Sequence, residues 1–429
     1  METPILRILV TGTNRWALAA RLAISLHEVG CETFAICPRG SSAIGKTSVV
    51  SRFFRYNGLR PLQALEAAIE AVHPDLIIPT CDRGVEHLHE LHARMLLKGV
   101  RGEQVASLIE TSIGPASSYA LISSRHDLLA VAQNLGVRVP RFCSLKDPED
   151  LADWEATEAF PWVMKADGTW GGQGVRVIRS SKSAALALTQ LPQMFRFSRA
   201  VKRLIVNRDS FWFRPWWKGM TRAVSAQSFV NGHPANCTAV CWRGKVLAFI
   251  AVEVIQSDGS TGPASIVRLI ENPEMRFAAD RLAERLKLSG FFGLDFMIEK
   301  GTNAAYLVEL NPRPTPPCHL HLGKGRDLPG ALWAQLSGQP LPDRPSVTEN
   351  TLIAYPPQAL KASTDCYRDF PENEPALLEE ILNPYPDRTI PYKLVQYFSR
   401  KPSDDLQNAR ASASRDKLIK VQPTRSAER

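Results

Sequence analysis

The first third of the chain alternates short apolar runs with helical periodicity. Ile5 to Val10 is almost entirely apolar, which is typical of a strand buried on both faces. Trp16 to Val29 repeats apolar residues at helical spacing, and Gly30 is a typical helix stop. Thr33 to Cys37 is a second apolar run, so the pattern predicts a strand–helix–strand unit with parallel strands.

The alternation continues with a predicted helix from Leu62 to Val72 and a predicted strand from Asp75 to Pro79. Gly12 follows the first strand, but the next positions, Thr13 through Trp16, contain no glycine. The GxGxxG fingerprint of dinucleotide-binding folds is therefore absent, which argues against NAD binding. We expect a doubly wound sheet without a dinucleotide site.

Residues 291–314 predict a β-hairpin. Apolar positions alternate around Asp295, a Gly-Thr-Asn turn follows, and a second apolar run covers residues 306–311. Glu309 and Asn311 are two positions apart, so they project from one face of the second strand. Asp295 is then expected opposite them across the hairpin.

These three side chains suggest a metal site. Two carboxylates and an amide on rigid strands are hard oxygen ligands, which Mg²⁺ prefers together with water and phosphate oxygens. Arg313 adds a cation on the same face, two residues beyond Asn311. The alternative is that the acids are simply solvated at strand ends. Asp295 and Glu309 interrupt strongly apolar runs, where an unpaired carboxylate is costly, and the pattern alone leaves both interpretations open.

A second pattern with chemical meaning is a glycine-rich hairpin. Trp162 to Lys165 and Val175 to Ile178 are predicted strands. The loop between them contains Gly168, Gly171, Gly172 and Gly174. Glycines let backbone N–H groups wrap an anion, and Lys165 would reach its phosphates as a point charge. The loop is not a Walker A motif, which needs Gly-Lys-Ser/Thr at the start of a helix.

Composition and charge narrow the class of protein. The chain has 429 residues, enough for two or three domains, and a formal net charge of +9 that fits anionic substrates such as nucleotides. No run is long and apolar enough to span a bilayer, and Met1 to Arg7 lacks a secretory signal pattern. The eight cysteines include no CxxC pair, so we expect reduced thiols and a cytoplasmic location.

Residues 195–222 interleave basic and aromatic side chains. This composition is compatible with a surface for single-stranded nucleic acid or for a membrane. We favour an ordinary helix and strand with packed tryptophans and solvated arginines, so nucleic acid is not the expected partner. A third interpretation is that some of these cations meet an acidic substrate.

Together with the glycine-rich hairpin, the segments GLDFM at 293–297 and ELNPR at 309–313 resemble the ATP-grasp superfamily. That superfamily includes D-alanine ligases, biotin carboxylases and carbamoyl phosphate synthases. The resemblance implies an α/β protein with an N-terminal doubly wound, Rossmann-like domain followed by a two-subdomain α+β ATP-grasp fold. The resemblance implies an N-terminal domain at 1–120 and a small subdomain with the glycine-rich loop at 121–192. A large subdomain with the metal site at 193–340 and a C-terminal extension with a partly disordered tail at 341–429 would follow.

The resemblance also implies roles for the metal-binding and catalytic residues. Asp295, Glu309 and Asn311 match the residues that hold Mg²⁺ between the terminal phosphates of ATP, with two ions expected and Mn²⁺ as an alternative metal. Arg268 and Arg313 are the implied catalytic cations, which would steady the phosphoryl group in transit.

The implied ATP-binding residues come from three segments: the start of a predicted helix that ends before Gly136, the glycine-rich hairpin, and a hinge at residues 227–233 that receives adenine in relatives. They are Arg125, Lys165, Gly168, Trp170, Gly171, Gly172, Gly174, Gln227, Phe229 and His233. Arg125 stands where relatives carry a phosphate-binding lysine, and it keeps the charge with a different geometry. Trp170, at the loop tip, is expected to close over the nucleotide or the acceptor. Relatives carry acids at the positions of Ser228 and His233 in the adenine hinge, and neither acid is present here.

The activity implied by the resemblance is ATP-dependent ligation of a carboxylic acid to an amine, with amino acids as candidate substrates. An acylphosphate would form first, and ADP and phosphate would be released. Relatives are often dimers, so a homodimer is a further expectation. Because Arg125, Ser228 and His233 depart from the pattern, an ATP-binding protein without turnover is the alternative from a second class.

Overall fold

The computed structural model describes residues 5–13, 16–38, 43–168, 174–191, 223–257, 262–357, 359 and 365–382. Three sheets organise these residues: a four-stranded parallel sheet, a four-stranded antiparallel sheet and a mainly antiparallel seven-stranded sheet. Residues 195–222, the basic and aromatic segment, lie outside the described residues. Within the described ranges, no helix is long and apolar enough to cross a membrane.

The N-terminal sheet has the strand order β3-β2-β1-β4, with every neighbouring pair parallel. Its strands are β1 (Arg7–Thr11), β2 (Glu32–Cys37), β3 (Val50–Arg55) and β4 (Leu76–Pro79). The helices of this part are α1 (Leu18–Glu28), α2 (Pro61–Val72), α3 (Asp82–Met95) and α4 (Val100–Ile113), with a short 3-10 turn at Ala43–Lys46. The strand–helix–strand unit predicted from the apolar runs is therefore present, and the carboxyl ends of β1 and β4 are neighbours.

The small antiparallel sheet has the order β5-β8-β6-β7. Its strands are β5 (Phe142–Leu145), β6 (Trp162–Ala166), β7 (Val175–Ile178) and β8 (Val224–Ser228). The helices are α5 (Ala116–Ser123), α6 (Arg125–Asn134), α7 (Pro148–Thr157) and α8 (Ser181–Gln190). β8 belongs to this sheet although the boundary predicted at residue 193 assigns it to the large subdomain, because its register is set by β5 and β6.

The large sheet has the order β13-β12-β9-β10-β11-β14-β15. Its strands are β9 (Gly232–Trp242), β10 (Lys245–Ser257), β11 (Ala264–Ile270), β12 (Gly290–Glu299), β13 (Ala305–Asn311), β14 (Leu352–Ala354) and β15 (Tyr367–Arg368). The remaining helices are α9 (Pro273–Leu286), α10 (Leu328–Ser337) and α11 (Pro375–Leu382).

The two faces of the large sheet pack against different partners. Leu294 and Phe296 belong to a core shared with Leu282 of α9. Phe291, an odd-numbered position of β12, belongs to a core shared with Leu22 of α1 in the N-terminal domain. Because side chains alternate along a strand, the odd positions of β12, including the acid at 295, project toward the N-terminal domain.

The C-terminal part folds back onto the N-terminal domain. The carboxylate of Asp369, beside β15, accepts hydrogen bonds from Arg21 of α1 and contacts His319 Nε2 at 2.7 Å. Glu374 accepts from the backbone N–H of Ser48 at 3.0 Å and from its hydroxyl at 2.7 Å. Leu377 of α11 completes the same apolar core. Residues 365–382 are thus part of the packed fold, and the tail predicted to be disordered from residue 399 lies outside the described residues.

Candidate active site

The hairpin of β12 and β13 brings the three predicted metal ligands together. Asp295 pairs directly with Glu309, and Gly293 pairs with Asn311. The Asn311 side-chain amide donates to Asp295 Oδ2 at 3.0 Å. A bulge after Asp295 shifts the register toward the turn without separating these residues. The shared face expected from the two-residue spacing is therefore the one that the strands present.

The protein compensates the charge of Asp295 only in part. Burial and the neighbouring carboxylate of Glu309 raise the pKa of Asp295 to about 6. The Asn311 amide, Arg313 and Lys165 oppose that rise without cancelling it. A buried carboxylate whose ionisation is unfavourable, beside a second carboxylate, provides a site that a cation would stabilise.

Two cations approach the acids from the small subdomain. Lys165 on β6 is only 9% exposed. Burial lowers its pKa to about 8, with a further contribution from the charge of Arg125 that Glu309 and Asp295 partly offset. Arg125, at the start of α6, donates to the Ala166 carbonyl at 2.6 Å and to Glu309 Oε1 at 2.8 Å. One guanidinium thus links the strand that carries Lys165 to the predicted metal ligand Glu309.

The glycine-rich loop is described at its two ends. Gly168 has a φ of +59°, a left-handed conformation that favours glycine. The Gly174 carbonyl accepts from the backbone N–H of Ala166 at 3.0 Å, which closes the base of the hairpin. Trp170, Gly171 and Gly172, predicted to cover the nucleotide, lie outside the described residues.

β8 and the residues that follow it carry further predicted ATP-binding residues. Gln227 pairs with Val163 of β6, two positions from Lys165, so the two polar side chains project from one face of the small sheet. Gln227 is 1% exposed, and its Nε2 has no hydrogen-bond partner among the described residues. Phe229, just beyond β8, is 41% exposed. Ser228, where relatives carry an acid, accepts from the Arg141 backbone N–H at 3.0 Å.

Arg313 connects the β12–β13 hairpin, called the metal hairpin here for its predicted ligands, to the N-terminal domain. Its Nε donates to Asp82 Oδ1 at 2.9 Å, and its Nη2 donates to Asn311 Oδ1 at 3.1 Å. Its guanidinium also lies 5.9 Å from the ring centroid of Trp16. Burial opposes the charge of Arg313, but the Asp82 carboxylate outweighs that effect and raises its pKa. Arg313 is therefore a fixed cation between the metal hairpin and the carboxyl edge of the parallel sheet.

His233 and Arg268 do not join this cluster. Both contact Glu253: Arg268 donates to it at 2.7 Å, and His233 Nε2 lies 3.1 Å from it. Glu253 of β10 pairs with Arg268 of β11. The adjacent residue, Val252, is aligned across the strands with Asn236 and Asp295 and so shares their face. Because neighbours alternate faces, His233 and Arg268 project from the opposite face of the sheet. Arg268 is also three strands away from Asp295, about 14 Å at the usual spacing, so the predicted roles of these two residues beside ATP are corrected.

Four residues that the sequence analysis did not single out border the site: Asp82, Asn236, Thr238 and Thr315. Asp82 follows β4, and the carboxyl edge of a parallel sheet commonly contacts ligands, so its signal is present in the sequence. Asn236 and Thr238 are polar residues two positions apart in an apolar strand, the same signal as Glu309 and Asn311. Thr315 carries no such signal, because only the turn after Arg313 places it against the sheet.

The donor set fits Mg²⁺ in combination with a phosphate. Within the part of the chain that the structure describes, no three His, Cys, Asp or Glu side chains form a metal site by themselves. Asp295, Glu309 and Asn311 offer hard oxygens from two acids and an amide, and Mg²⁺ usually completes such a set with water and substrate phosphates. The raised pKa of Asp295 is consistent with a carboxylate pair that a cation would stabilise.

Comparison with known proteins agrees with this geometry. Residues 211–317 match the family of ATP-grasp domains. This part of the chain is similar to an ATP-grasp domain. A formate-dependent phosphoribosylglycinamide formyltransferase from Bacteroides thetaiotaomicron is 21% identical over 300 residues, which cover 67% of this chain and 64% of that protein. The chain thus spans a little less than two-thirds of the length of this curated relative.

Solved structures share the ATP-grasp architecture. N5-carboxyaminoimidazole ribonucleotide synthetase from Thermus thermophilus superposes with a TM-score of 0.55 at 19% identity, covering 78% of this chain and 79% of that chain. The biotin carboxylase domain dimer of Hydrogenobacter thermophilus 2-oxoglutarate carboxylase, in complex with MgADP, ADP and bicarbonate, gives a TM-score of 0.54 at 16% identity, covering 79% and 71%. The predicted ATP-grasp fold with a preceding Rossmann-like domain is confirmed, and the names of these proteins agree with the predicted ligase class.

Proposed function

We propose that this ATP-grasp protein is a ligase that uses ATP to join a carboxylate to an amine through an acylphosphate. The observation that supports it best is the bridge made by Arg125. This guanidinium contacts both the Ala166 carbonyl, beside Lys165, and the Glu309 carboxylate. One guanidinium therefore joins the strand of the predicted phosphate-binding lysine to the predicted metal-binding acid, which supports a nucleotide site between the two subdomains.

The small sheet supplies the nucleotide-binding side of this cleft. Lys165 and Arg125 would bind the phosphates, and the backbone N–H groups at the ends of the glycine-rich loop would surround them. Gln227 offers, on the same face, an amide donor with no partner among the described residues, and the exposed ring of Phe229 lies at the hinge. An apolar hinge with one buried amide is suited to a nucleobase, which combines a flat ring with polar edges.

The large sheet supplies the metal side. Asp295, Glu309 and Asn311 would hold Mg²⁺, and we propose two ions as in the superfamily that the motifs resemble. Bound Mg²⁺ neutralises the charge that develops on a transferred phosphoryl group. Glu309 must release Arg125 to serve as a ligand, so nucleotide binding would move this guanidinium from the carboxylate to a phosphate.

Arg313 marks where the acid would bind. It is a buried cation that donates to Asn311, and Asp82 holds its orientation. A carboxylate oxygen of the acid would attack the γ-phosphorus as the bond to ADP breaks. The amine would then attack the acyl carbon, releasing phosphate and a proton. A closed cleft would protect the acylphosphate from water.

Substrates and assembly are proposals drawn from the relatives. The curated relative is named as formate-dependent, and the Hydrogenobacter domain is in complex with bicarbonate, so we propose a carboxylic acid or a related oxyacid as the first substrate. The second substrate would be an amine. We also propose a homodimer, as in the Hydrogenobacter domain, and a cytoplasmic location, which fits eight cysteines that include no CxxC pair.

Hydroxamate formation tests the function. Hydroxylamine captures acylphosphates, so incubation with ATP, Mg²⁺, hydroxylamine and a panel of acids should give an acid-dependent hydroxamate together with ADP. Glu309→Gln should reduce this rate at least about 100-fold, the scale of losing an electrostatic contact to a transition state. Glu299→Gln is the matched control, because Glu299 lies on the same hairpin and its carboxylate accepts a hydrogen bond from the turn residue Thr302 at 2.6 Å. A Glu309→Gln protein as active as the parent contradicts the proposed site.

An ATP-binding protein without turnover is the second candidate. Two observations favour it. Arg125 donates a hydrogen bond to Glu309, a predicted metal ligand. Ser228 stands at the hinge in place of an acid, and its hydroxyl accepts a hydrogen bond from the Arg141 backbone. Calorimetric ATP binding combined with no hydroxamate from any acid in the panel would support this candidate. Acid-dependent ADP release would exclude it.

A further inference from the structure

Two rows of polar residues cross the large sheet beside Arg313. In the first row, Glu309, Asp295 and Asn236 are direct cross-strand neighbours on β13, β12 and β9. Direct neighbours share a face, with their Cβ atoms about 5 Å apart. Asn236 therefore continues the metal-binding row on the side away from Arg125. Its Oδ1 is buried and has no hydrogen-bond partner among the described residues.

The second row continues the same pattern. Asn311, Gly293 and Thr238 are cross-strand neighbours, again on the face that carries Asp295. Thr238 is 0% exposed, and its hydroxyl has no partner among the residues that the structure describes. A buried hydroxyl without a hydrogen bond costs about 1–3 kcal/mol, which is unusual for a residue with only a packing role.

Thr315 closes over the glycine in this row. A Cβ atom at Gly293 would lie 2.5 Å from Thr315 Cγ2 and 2.7 Å from its Oγ1, so any other residue at 293 would displace the threonine. Thr315 is 6% exposed, and its hydroxyl also lacks a partner within the described ranges. Two buried hydroxyls and one amide oxygen thus lie in or over the two rows that carry the predicted metal ligands, and none of the three has a hydrogen-bond partner among the described residues. We refer to Asn236, Thr238 and Thr315 as the polar wall.

We propose that the polar wall binds the acid substrate beside Arg313 and selects a compact acid that carries no second charged group. This inference rests on the proposed ligase function and names residues that determine its acid specificity. The nucleotide side of the site, with Arg125 and Lys165, approaches Glu309 on β13. Asn236 and Thr238 lie on β9, on the other side of β12 from Glu309, and Thr315 lies over β12 itself. The wall therefore offers a place for the molecule that attacks the γ-phosphate.

The chemistry of the wall sets the class of acid. Threonine hydroxyls donate to carboxylate oxygens, and the Asn236 amide can accept from a hydroxyl group of the ligand. The wall itself is uncharged, so a second charge on the acid would be buried without a partner and would be rejected. Thr315 fills the space above Gly293, which limits the depth of the site. Arg313 supplies the cation for one carboxylate.

Isosteric variants test the wall in the full-length protein. Thr238→Val and Thr315→Val remove a hydroxyl and keep the side-chain shape. In the hydroxamate assay, each should raise KM for the acid about 10-fold, the value of one hydrogen bond to a charged group, and leave KM for ATP unchanged. Because neither hydroxyl has a protein partner among the described residues, the Tm of each variant should stay the same or rise. A purely structural role would instead lower Tm without affecting KM for the acid.

Thr33→Val is the matched control. Thr33 is also 0% exposed, but its hydroxyl donates to the Val49 carbonyl at 2.9 Å, far from the site. This variant should lower Tm and leave KM for the acid unchanged. The acid panel supplies a second measurement: formate, bicarbonate, acetate and glycolate should support the reaction better than malonate, succinate or aspartate.

The outcomes separate this inference from the function on which it rests. If the parent forms hydroxamate and Glu309→Gln does not, but both valine variants keep the parent KM for the acid, the polar wall is wrong and the ligase stands. A preference for dicarboxylates or amino acids would overturn the proposed acid class. No hydroxamate from the parent with any acid would overturn the ligase proposal and this inference together.

Discussion

The guanidinium of Arg125 and the carboxylate of Glu309 are joined by a 2.8 Å hydrogen bond across 184 positions of sequence. The bond ties the first turn of α6 to the last strand of the metal hairpin. It also places a positive charge beside the carboxylate that is predicted to bind magnesium. Arg125 and the metal ion would therefore compete for Glu309. ATP would resolve that competition, because its phosphates offer Arg125 another anion and bring the metal to Glu309.

Removing Arg125 should therefore have opposite effects on the two ligands. Arg125→Ala should raise the Kd for ATP about 10-fold or more through the lost phosphate contact, and should strengthen Mg²⁺ binding without nucleotide because Glu309 is freed. Titration calorimetry of each ligand measures both. Arg138→Ala is the control: it removes an exposed pair with Glu274 of α9, worth about 0–1 kcal/mol, and should change neither affinity. Unchanged ATP binding in Arg125→Ala contradicts the phosphate role.

Lys165 should make nucleotide binding depend on pH. Its pKa is lowered to about 8, chiefly by burial, so the free protein loses this charge as pH rises through about 8. A bound triphosphate favours the protonated amine and raises its pKa, so ATP binding at pH 9 should take up a proton. Calorimetry at pH 9 in two buffers of different ionisation enthalpy detects this uptake. Lys165→Arg stays charged and should abolish it, and binding by the parent without uptake would show that Lys165 does not contact the phosphates.

The buried carboxylate of Asp369 should stabilise the packing of residues 365–382 against the N-terminal domain. Burial alone would raise its pKa, but the charges and hydrogen bonds of His319 and Arg21 outweigh burial and lower it. A carboxylate whose pKa falls on folding stabilises the protein above its unfolded pKa of about 4, and that stability is lost as pH falls further.

Asp369→Asn should consequently reduce the free energy of unfolding at pH 7 by about 3–5 kcal/mol, the range for breaking a buried ion pair. The difference from the parent should shrink below about pH 4, as Asp369 of the parent becomes protonated. Denaturant unfolding at several pH values measures both effects. Glu379→Gln, an exposed change on α11, should stay within about 0.5 kcal/mol of the parent. Equal destabilisation by the two variants would rule out the specific role of Asp369.

Local patterns predicted much of this molecule. Apolar runs and turn residues gave the strand–helix–strand opening and the β12–β13 hairpin, because side-chain periodicity is a property of each segment. The two-residue spacing of Glu309 and Asn311 put them on one face, and the hairpin put Asp295 opposite. The same rule, applied to β9, would also have indicated Asn236 and Thr238.

Arg268 shows where such reasoning fails. Its assignment relied on similarity of position along the chain, and a single residue of register decides which face of a strand is presented. The ladder with β10 pairs it with Glu253, on the face that packs toward α9, so it points away from the metal ligands.

The sequence by itself determined the chemical inventory of the site: a lysine before a glycine-rich loop, and two acids and an amide on one hairpin. Spacing within each segment was enough, since strand and turn geometry act over a few residues. Only the tertiary structure decided that Arg125 reaches Glu309, that Asp82 holds Arg313, and that Thr315 covers Gly293. These contacts join residues far apart in the chain, and their distances depend on how whole sheets pack.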